Sequence, residues 1–382
     1  MNEDSSVGLT STTLMAVAAL LAVGLPAAAL LLWNRLRGPR TLRVLERLAL
    51  VGLAQGFAVL LALVAVNDQY LFFTSWQDLL GSPPPPGIIT SQGSVELTGP
   101  SGSVAVSRDV SRTQTNGDQL LTETVQGGAS HLTGRVLIRL PAGYATSGRS
   151  YPVVELLQGW HAPPESWITN LGLLAAMGAA ERDHAIGPVI LVMPDINLGN
   201  PRDVECTNVP RGPQAETWLT TDVRDLVLSQ FRALPTARSW GLMGFSTGGY
   251  CAAKFALHRP GWYATAVVMS GYFEALKDST TGDLWGGSRR LRNENAPAWL
   301  VTQRTPPPID LLVFTSRQDS DSYPSSEHFL KLVRAPMRAF SLVAPRGGHN
   351  FKALRAALPE MLGWLGAHLT DAGASGSRHT AT

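Results

Sequence analysis

The chain has 382 residues, 45% of them hydrophobic and 16% charged, with a formal net charge of +2. So small a positive excess, with no basic tract interleaved with aromatics, excludes nucleic acid as an expected partner. The low charge implies that some apolar sequence lies outside a water-facing fold, and two cysteines are too few and wrongly spaced for structural zinc.

Residues 14–33 and 48–66 contain no charged side chain, and each run is long enough to cross a hydrocarbon core as a helix. Glu3 and Asp4 precede the first run and arginines follow it, the reverse of a cleaved signal peptide. These features predict a two-helix transmembrane hairpin within an anchor over 1–80, with the lipid bilayer as its partner. Arg35, Arg37, Arg40, Arg43 and Arg47 stand between the two runs against the single acid Glu46. The positive-inside tendency puts that connection in the cytoplasm and everything after Val66 on the extracytoplasmic side of the plasma membrane. Tyr70, Phe72, Phe73 and Trp76 suit an interfacial stretch. Pro83 to Pro86 stiffen a Pro/Gly-rich linker over 81–95.

Strand signals over 103–106, 120–125 and 134–140, with a glycine turn at Gly127-Gly128, predict antiparallel edge strands. Apolar runs at 153–157, 188–193, 264–269, 309–314 and 338–343 read as core strands. Helices over 221–231, 250–257 and 351–369 alternate with them, and Val223, Leu226, Val227 and Phe231 fall on one helical face. This alternation predicts an α/β domain over 96–369 with a mostly parallel sheet, followed by a disordered Gly/Ser/Thr/Ala tail over 370–382.

The chemistry centres on Gly244-Phe245-Ser246-Thr247-Gly248, which joins an apolar strand end, Leu242-Met243, to a helix. A serine on so sharp a strand-to-helix turn has its hydroxyl lifted clear of the sheet. It needs a base and an orienting acid, which in such folds follow it in the order acid, histidine. His349, in Arg346-Gly347-Gly348-His349-Asn350 after a strand, is the candidate base. His258 lies twelve residues along the serine's own helix, roughly 18 Å away, and cannot reach. Asp319 and Asp321 both follow the strand over 309–314; Asp319 is favoured because it comes first, with Asp321 the alternative acid. Oxyanion donors are expected from the N–H of Thr247 and of Trp160 after Gly159. Gln158, Gly159 and His161 are substrate-pocket candidates. A disulfide between Cys206 and Cys251 is permitted outside the membrane and would pin one loop against the serine's helix; two separate thiols are the alternative. The chemistry requires neither metal nor organic cofactor.

From about Gly134 to Leu369 the chain resembles the esterase D-like branch of the α/β-hydrolases, and within it the secreted mycolyltransferases. The likeness rests on Leu156-Leu157-Gln158-Gly159-Trp160 with Trp167, and on Glu216-Thr217-Trp218-Leu219-Thr220. The serine turn, Leu284-Trp285-Gly286, Pro297-Ala298-Trp299 and Gly347-Gly348-His349-Asn350 complete it. The resemblance implies an α/β-hydrolase fold with Ser246 as nucleophile, His349 as base, an acid at 319–321, and oxyanion donors at Trp160 and Thr247. The mycolyltransferases carry aspartate and arginine where this chain has Gln158 and His161, which points away from trehalose as acceptor. The expected function is a membrane-anchored extracytoplasmic serine esterase or acyltransferase acting on an ester or acyl-sugar of the cell envelope. The alternative is a non-catalytic envelope protein that keeps the fold and binds carbohydrate or protein.

Overall fold

The computed structural model describes residues 12–32, 39–70, 92–99, 102–115 and 118–369. The aromatic residues at 72, 73 and 76, the proline run and the tail over 370–382 lie outside the described residues. The chain divides into two compact units.

The first unit holds helix α1, Thr12–Leu32, packed along helix α2, Arg40–Tyr70. The start of α2 corrects the sequence expectation, because Arg40, Arg43 and Arg47 form its first turns rather than a connecting loop. Pro39 immediately before the helix favours that start, and arginine, leucine and glutamate are good helix formers. Residues 40–67 are long and apolar enough to cross a membrane by length and composition, whereas the apolar run of α1 covers the shorter 13–28. Leu20, Val23 and Leu30 of α1 and Leu45, Leu48 and Leu63 of α2 are exposed.

The second unit is built on one ten-stranded sheet in the order β1-β2-β3-β4-β6-β5-β7-β8-β9-β10. Its antiparallel part is β1 (Gln92–Gly99), β2 (Gly102–Thr115), β3 (Asp118–Gln126) and β4 (Thr133–Leu140). The first strand thus begins inside the span expected as linker. β4 joins antiparallel to β6, Ile190–Pro194. The remaining neighbours are parallel: β6 with β5 (Val153–Leu157), then β7 (Trp240–Phe245), β8 (Thr265–Met269), β9 (Asp310–Ser316) and β10 (Arg338–Ala344).

Every residue of β5, β6 and β8 is buried, as parallel strands covered on both faces require, and this is why they read as largely apolar runs without alternation. The covering helices include α3 (Leu173–Arg182), α4 (Val223–Gln230), α5 (Thr247–His258), α6 (Ser322–Leu332) and α7 (Phe351–His368). The sheet's core joins Val153, Leu157, Val192, Leu242 and Val268 to Trp218, Leu226, Tyr250 and Phe255 from the helical layers.

Register decides where the loops emerge. Leu157 pairs with Gly244, Phe245 with Met269, and Ser316 with Ala344. The C-terminal ends of β5, β7, β8, β9 and β10 therefore come level along one edge. Strand order reverses between β5 and β7, so the loop after β5 faces the turn after β7 across the crevice where open α/β sheets place ligands.

Candidate active site

Ser246 sits between β7 and α5 with φ 56° and ψ −122°, a conformation that costs a non-glycine residue about 1–3 kcal/mol. The surrounding backbone enforces it. The Ser246 N–H donates to the Met269 carbonyl at 3.0 Å, and the Ser246 carbonyl accepts from the Tyr250 N–H at 3.1 Å. A Cβ on Gly244 would lie 1.9 Å from the Gly248 carbonyl oxygen, and one on Gly248 would lie 2.0 Å from that of Leu157. Those are contacts with backbone, which cannot yield, so both positions of the turn exclude any side chain.

The Ser246 hydroxyl lies 3.1 Å from His349 Nε2, and His349 Nδ1 lies 2.9 Å from Asp319 Oδ2. An ionised carboxylate only accepts, so Nδ1 carries the proton and Nε2 accepts from the serine hydroxyl. Asp319 is almost wholly buried, while the imidazole is open to solvent on one side, its side chain 37% exposed. Asp319 Oδ1 also accepts the backbone N–H groups of Asp321 and Ser322 at 3.3 and 3.0 Å. Burial opposes the charge on Asp319, but the hydrogen bonds from His349 and Ser322 outweigh it and hold the carboxyl well below the usual carboxylate range.

The loop that carries His349 is itself fastened. Gly347 N–H donates to Gln318 Oε1 at 3.0 Å, and Gly348 N–H donates to Ser316 Oγ at 3.2 Å. Phe245 packs its ring against the imidazole, with centroids 4.9 Å apart. Thus the residues before Ser246 and after β9 both orient the His349 imidazole. None of these supports has a sequence motif of its own; they follow from register at the strand ends.

Thr247 opens α5, where a helix leaves its first N–H groups without intrahelical partners. Gly159 runs beside the serine, since a Cβ there would come 3.3 Å from Ser246 Cβ. Trp160 follows it, half-buried, with its ring against that of His161, which is exposed at φ 68°. The pocket candidate Gln158 is corrected, while of the two candidate acids the favoured Asp319 contacts the imidazole. Gln158 is 2% exposed and turned inward: in the amide orientation that satisfies both neighbours, it donates to the Pro194 carbonyl at 3.0 Å and accepts from the Ile196 N–H at 3.1 Å, bridging the turn after β6. Asp321, the alternative acid, stands at the N-cap of α6, where Ser320 Oγ donates to its carboxylate at 3.4 Å. The contact with His349 Nδ1 is made by Asp319.

Cys206 and Cys251 are joined in a disulfide. His258, as its distance along the helix requires, is engaged elsewhere, with Nδ1 2.9 Å from Glu216 Oε1. The site also contains a residue that sequence reading did not single out. Asp203 accepts the Thr247 hydroxyl at 2.6 Å. The sole local signal is its place three residues before Cys206.

The arrangement is a hydroxyl on a strained turn, a base in contact with it, a charged acid behind the base, and backbone N–H groups beside it. Such a constellation activates an oxygen nucleophile toward a carbonyl carbon and accommodates the resulting oxyanion.

Parts of the chain are similar in sequence to known proteins, and its fold is similar to solved structures. The family model described as "Putative esterase" matches residues 133–310. An uncharacterised protein of Corynebacterium glutamicum is 24% identical over 237 residues, covering 59% of this chain and 55% of that protein. An esterase of Mycobacterium tuberculosis is 30% identical over 148 residues, covering 37% of this chain and 30% of the esterase. The chain thus spans about half, or less, of the length of these curated relatives. Among solved structures, an S-formylglutathione hydrolase from Agrobacterium tumefaciens superposes with a TM-score of 0.59 at 16% identity, covering 68% of this chain and 99% of that one. A ferulic acid esterase does so with a TM-score of 0.58 at 17% identity, covering 65% and 98% respectively. At such identities the structural likeness is one of fold.

Proposed function

We propose that this chain, whose globular part is an α/β-hydrolase of the esterase D-like kind, is a carboxylic-ester hydrolase or acyltransferase that works through Ser246. The observation that carries the reading is the unbroken contact from Ser246 Oγ through His349 to Asp319, at 3.1 and 2.9 Å. Ser246 Oγ attacks the ester carbonyl while His349 Nε2 takes its proton, and the carboxylate of Asp319 stabilises the imidazolium. The carbonyl oxygen becomes an oxyanion received by the N–H groups of Thr247 and Trp160. Collapse expels the alcohol, which leaves with the proton from His349, and an acyl-serine remains. A second oxygen nucleophile, water or an alcohol, then gives its proton to His349 and takes the acyl group.

In this reading α1 and α2 anchor the chain in the plasma membrane and the hydrolase domain works outside the cytoplasm, on an ester or acylated sugar of the cell envelope. The support is the apolar length of 40–67 and the arginines between the two apolar runs. The test uses the full chain in detergent micelles with a fluorophosphonate label, beside its Ser246→Ala variant. The expected result is labelling of the wild type that the variant loses, with hydrolysis of short chromogenic esters lost in parallel. A folded wild type that resists the label sinks the enzyme reading and leaves a carbohydrate- or protein-binding role in the lead.

A further inference from the structure

Behind the serine, one stripe of α5 grips one loop. Thr247, Cys251 and Lys254 are spaced by four and three residues along that helix and so share a face. Each holds a different point of segment 203–207. Thr247 Oγ1 donates to Asp203 Oδ2 at 2.6 Å. Cys251 is disulfide-bonded to Cys206. Lys254 Nζ donates to the carbonyls of Glu205 and Cys206 at 2.8 and 2.9 Å, and to Thr207 Oγ1 at 3.0 Å. The loop is also closed on itself: Asp203 Oδ1 accepts the Glu205 N–H at 2.8 Å. Tyr272 donates its hydroxyl to Glu205 Oε1 at 2.8 Å and stands 3.3 Å from Thr247 Oγ1.

This cluster is expensive. Thr247, Asp203, Glu205 and Lys254 are all buried, with exposures of 4%, 6%, 0% and 0%. Burying charged groups such as Asp203 and Lys254 is costly, and apolar side chains of similar volume often stabilise a fold as well or better. Burial raises the carboxyl pKa of Asp203 and pushes that of Glu205 up to about 8. What the polar contacts add over apolar ones is direction. Only two torsions, χ1 and φ, separate Thr247 Oγ1 from the preceding peptide, so fixing the hydroxyl restrains the peptide between Ser246 and Thr247. That peptide carries the N–H beside the nucleophile, and it follows a serine held in a strained conformation that would otherwise relax.

We infer that Asp203 is a positioning residue for the oxyanion site: through the Thr247 hydroxyl it holds the Thr247 N–H aimed at the developing oxyanion. The disulfide and Lys254 keep Asp203 in place by fastening the rest of its loop to the same helix. The inference rests on the hydrolase reading and deepens it.

The test measures kcat and KM for a p-nitrophenyl ester with the full chain in detergent micelles. It compares wild type, Asp203→Asn, Thr247→Val, their double variant and Thr247→Ser, with thermal melts confirming folding. Losing an oxyanion donor outright costs about 10²–10³ in kcat, so a donor that is only released from its aim should cost on the order of tenfold. Each single variant is therefore expected to lose about tenfold in kcat with KM within about twofold. The double variant should lose no more than the worse single one, because both act through one bond. Thr247→Ser, which keeps the hydroxyl, should recover most of the loss. Wild-type kcat in Thr247→Val, a loss confined to KM, or losses that multiply in the double variant would each overturn the inference. If Asp203→Asn fails to fold, the Thr247→Val and Thr247→Ser pair decides it. A wild type inert to both ester and fluorophosphonate overturns the hydrolase reading and this inference with it, whereas an active wild type with an indifferent Thr247→Val overturns the inference alone.

Discussion

Two aspartates stand two residues apart after β9, and one of them meets the imidazole. Asp319 is buried, accepts three hydrogen bonds and contacts His349 at 2.9 Å. Asp321 stands at the N-cap position of the next helix without a capping side-chain bond. Asparagine at 319 keeps the shape, but its amide no longer dictates the Nδ1–H tautomer, so the base presents a proton where it should accept one. Asp319→Asn is therefore expected to lower kcat by on the order of 10³–10⁴, while Asp321→Asn stays within about twofold of wild type, as a surface change away from the reacting groups should. Steady-state ester hydrolysis checks both, and the opposite ranking removes Asp319 from the relay. Ser246, His349 and the pair of candidate acids were readable in the sequence because chain order along a parallel sheet puts strand ends on one edge. Choosing between Asp319 and Asp321 was a matter of side-chain aim, which sequence order favours but does not fix. Gln158 illustrates the reverse: its place after β5 suggested a pocket, yet its amide is consumed by the turn at Pro194 and Ile196.

At the scale of the element, β5 contains an acid where an unbroken apolar strand would suffice. Glu155 is fully buried; its Oε2 accepts the Tyr263 hydroxyl at 2.8 Å, and among the described residues its Oε1 has no hydrogen-bond partner. Burial pushes its carboxyl up to about 8 from an ordinary 4.5, against the opposing pull of Tyr263 and Arg224. Between those two values the folded chain holds a proton that the unfolded chain has released, so stability from this group is full below about pH 4.5 and is lost as pH rises through about 8. Thermal melts across that range should show the wild type losing stability relative to Glu155→Gln, which cannot ionise. Parallel curves for the two proteins would place the carboxyl's titration elsewhere. The neighbouring strands show how much of an element is visible locally. β5 appeared in the sequence at its observed limits because a short, almost wholly apolar run buried on both faces leaves little ambiguity. β2 extends over Gly102–Thr115, well beyond the short signal at 103–106, because its continuation is polar and is defined by pairing to β3 across a register shift between Asp109 and Thr113.

At the scale of the whole molecule, the proposal joins an apolar helical unit to a hydrolase domain outside the cytoplasm. The orienting feature is the arginine excess between the apolar runs, part of which forms the opening turns of α2. An epitope placed at the C-terminus of the full chain in spheroplasts should be removed by added proteinase, while one inserted beside Arg37 should survive until the membrane is permeabilised. Protection of the C-terminal epitope would reverse the proposed topology and with it an envelope substrate.

The sequence by itself determined the α/β alternation, the serine on its strand-to-helix turn and the chain order of Ser246, Asp319 and His349. Each of these is written in a few adjacent residues or in chain order alone. Only the tertiary structure decided which aspartate the base meets, that Gln158 turns inward, and that segment 203–207 is tied to α5 by a hydrogen bond, a disulfide and an ammonium group. Those contacts join residues tens of positions apart, and no local pattern carries such a distance: it is set by the register of strands and by the packing of the segments between them.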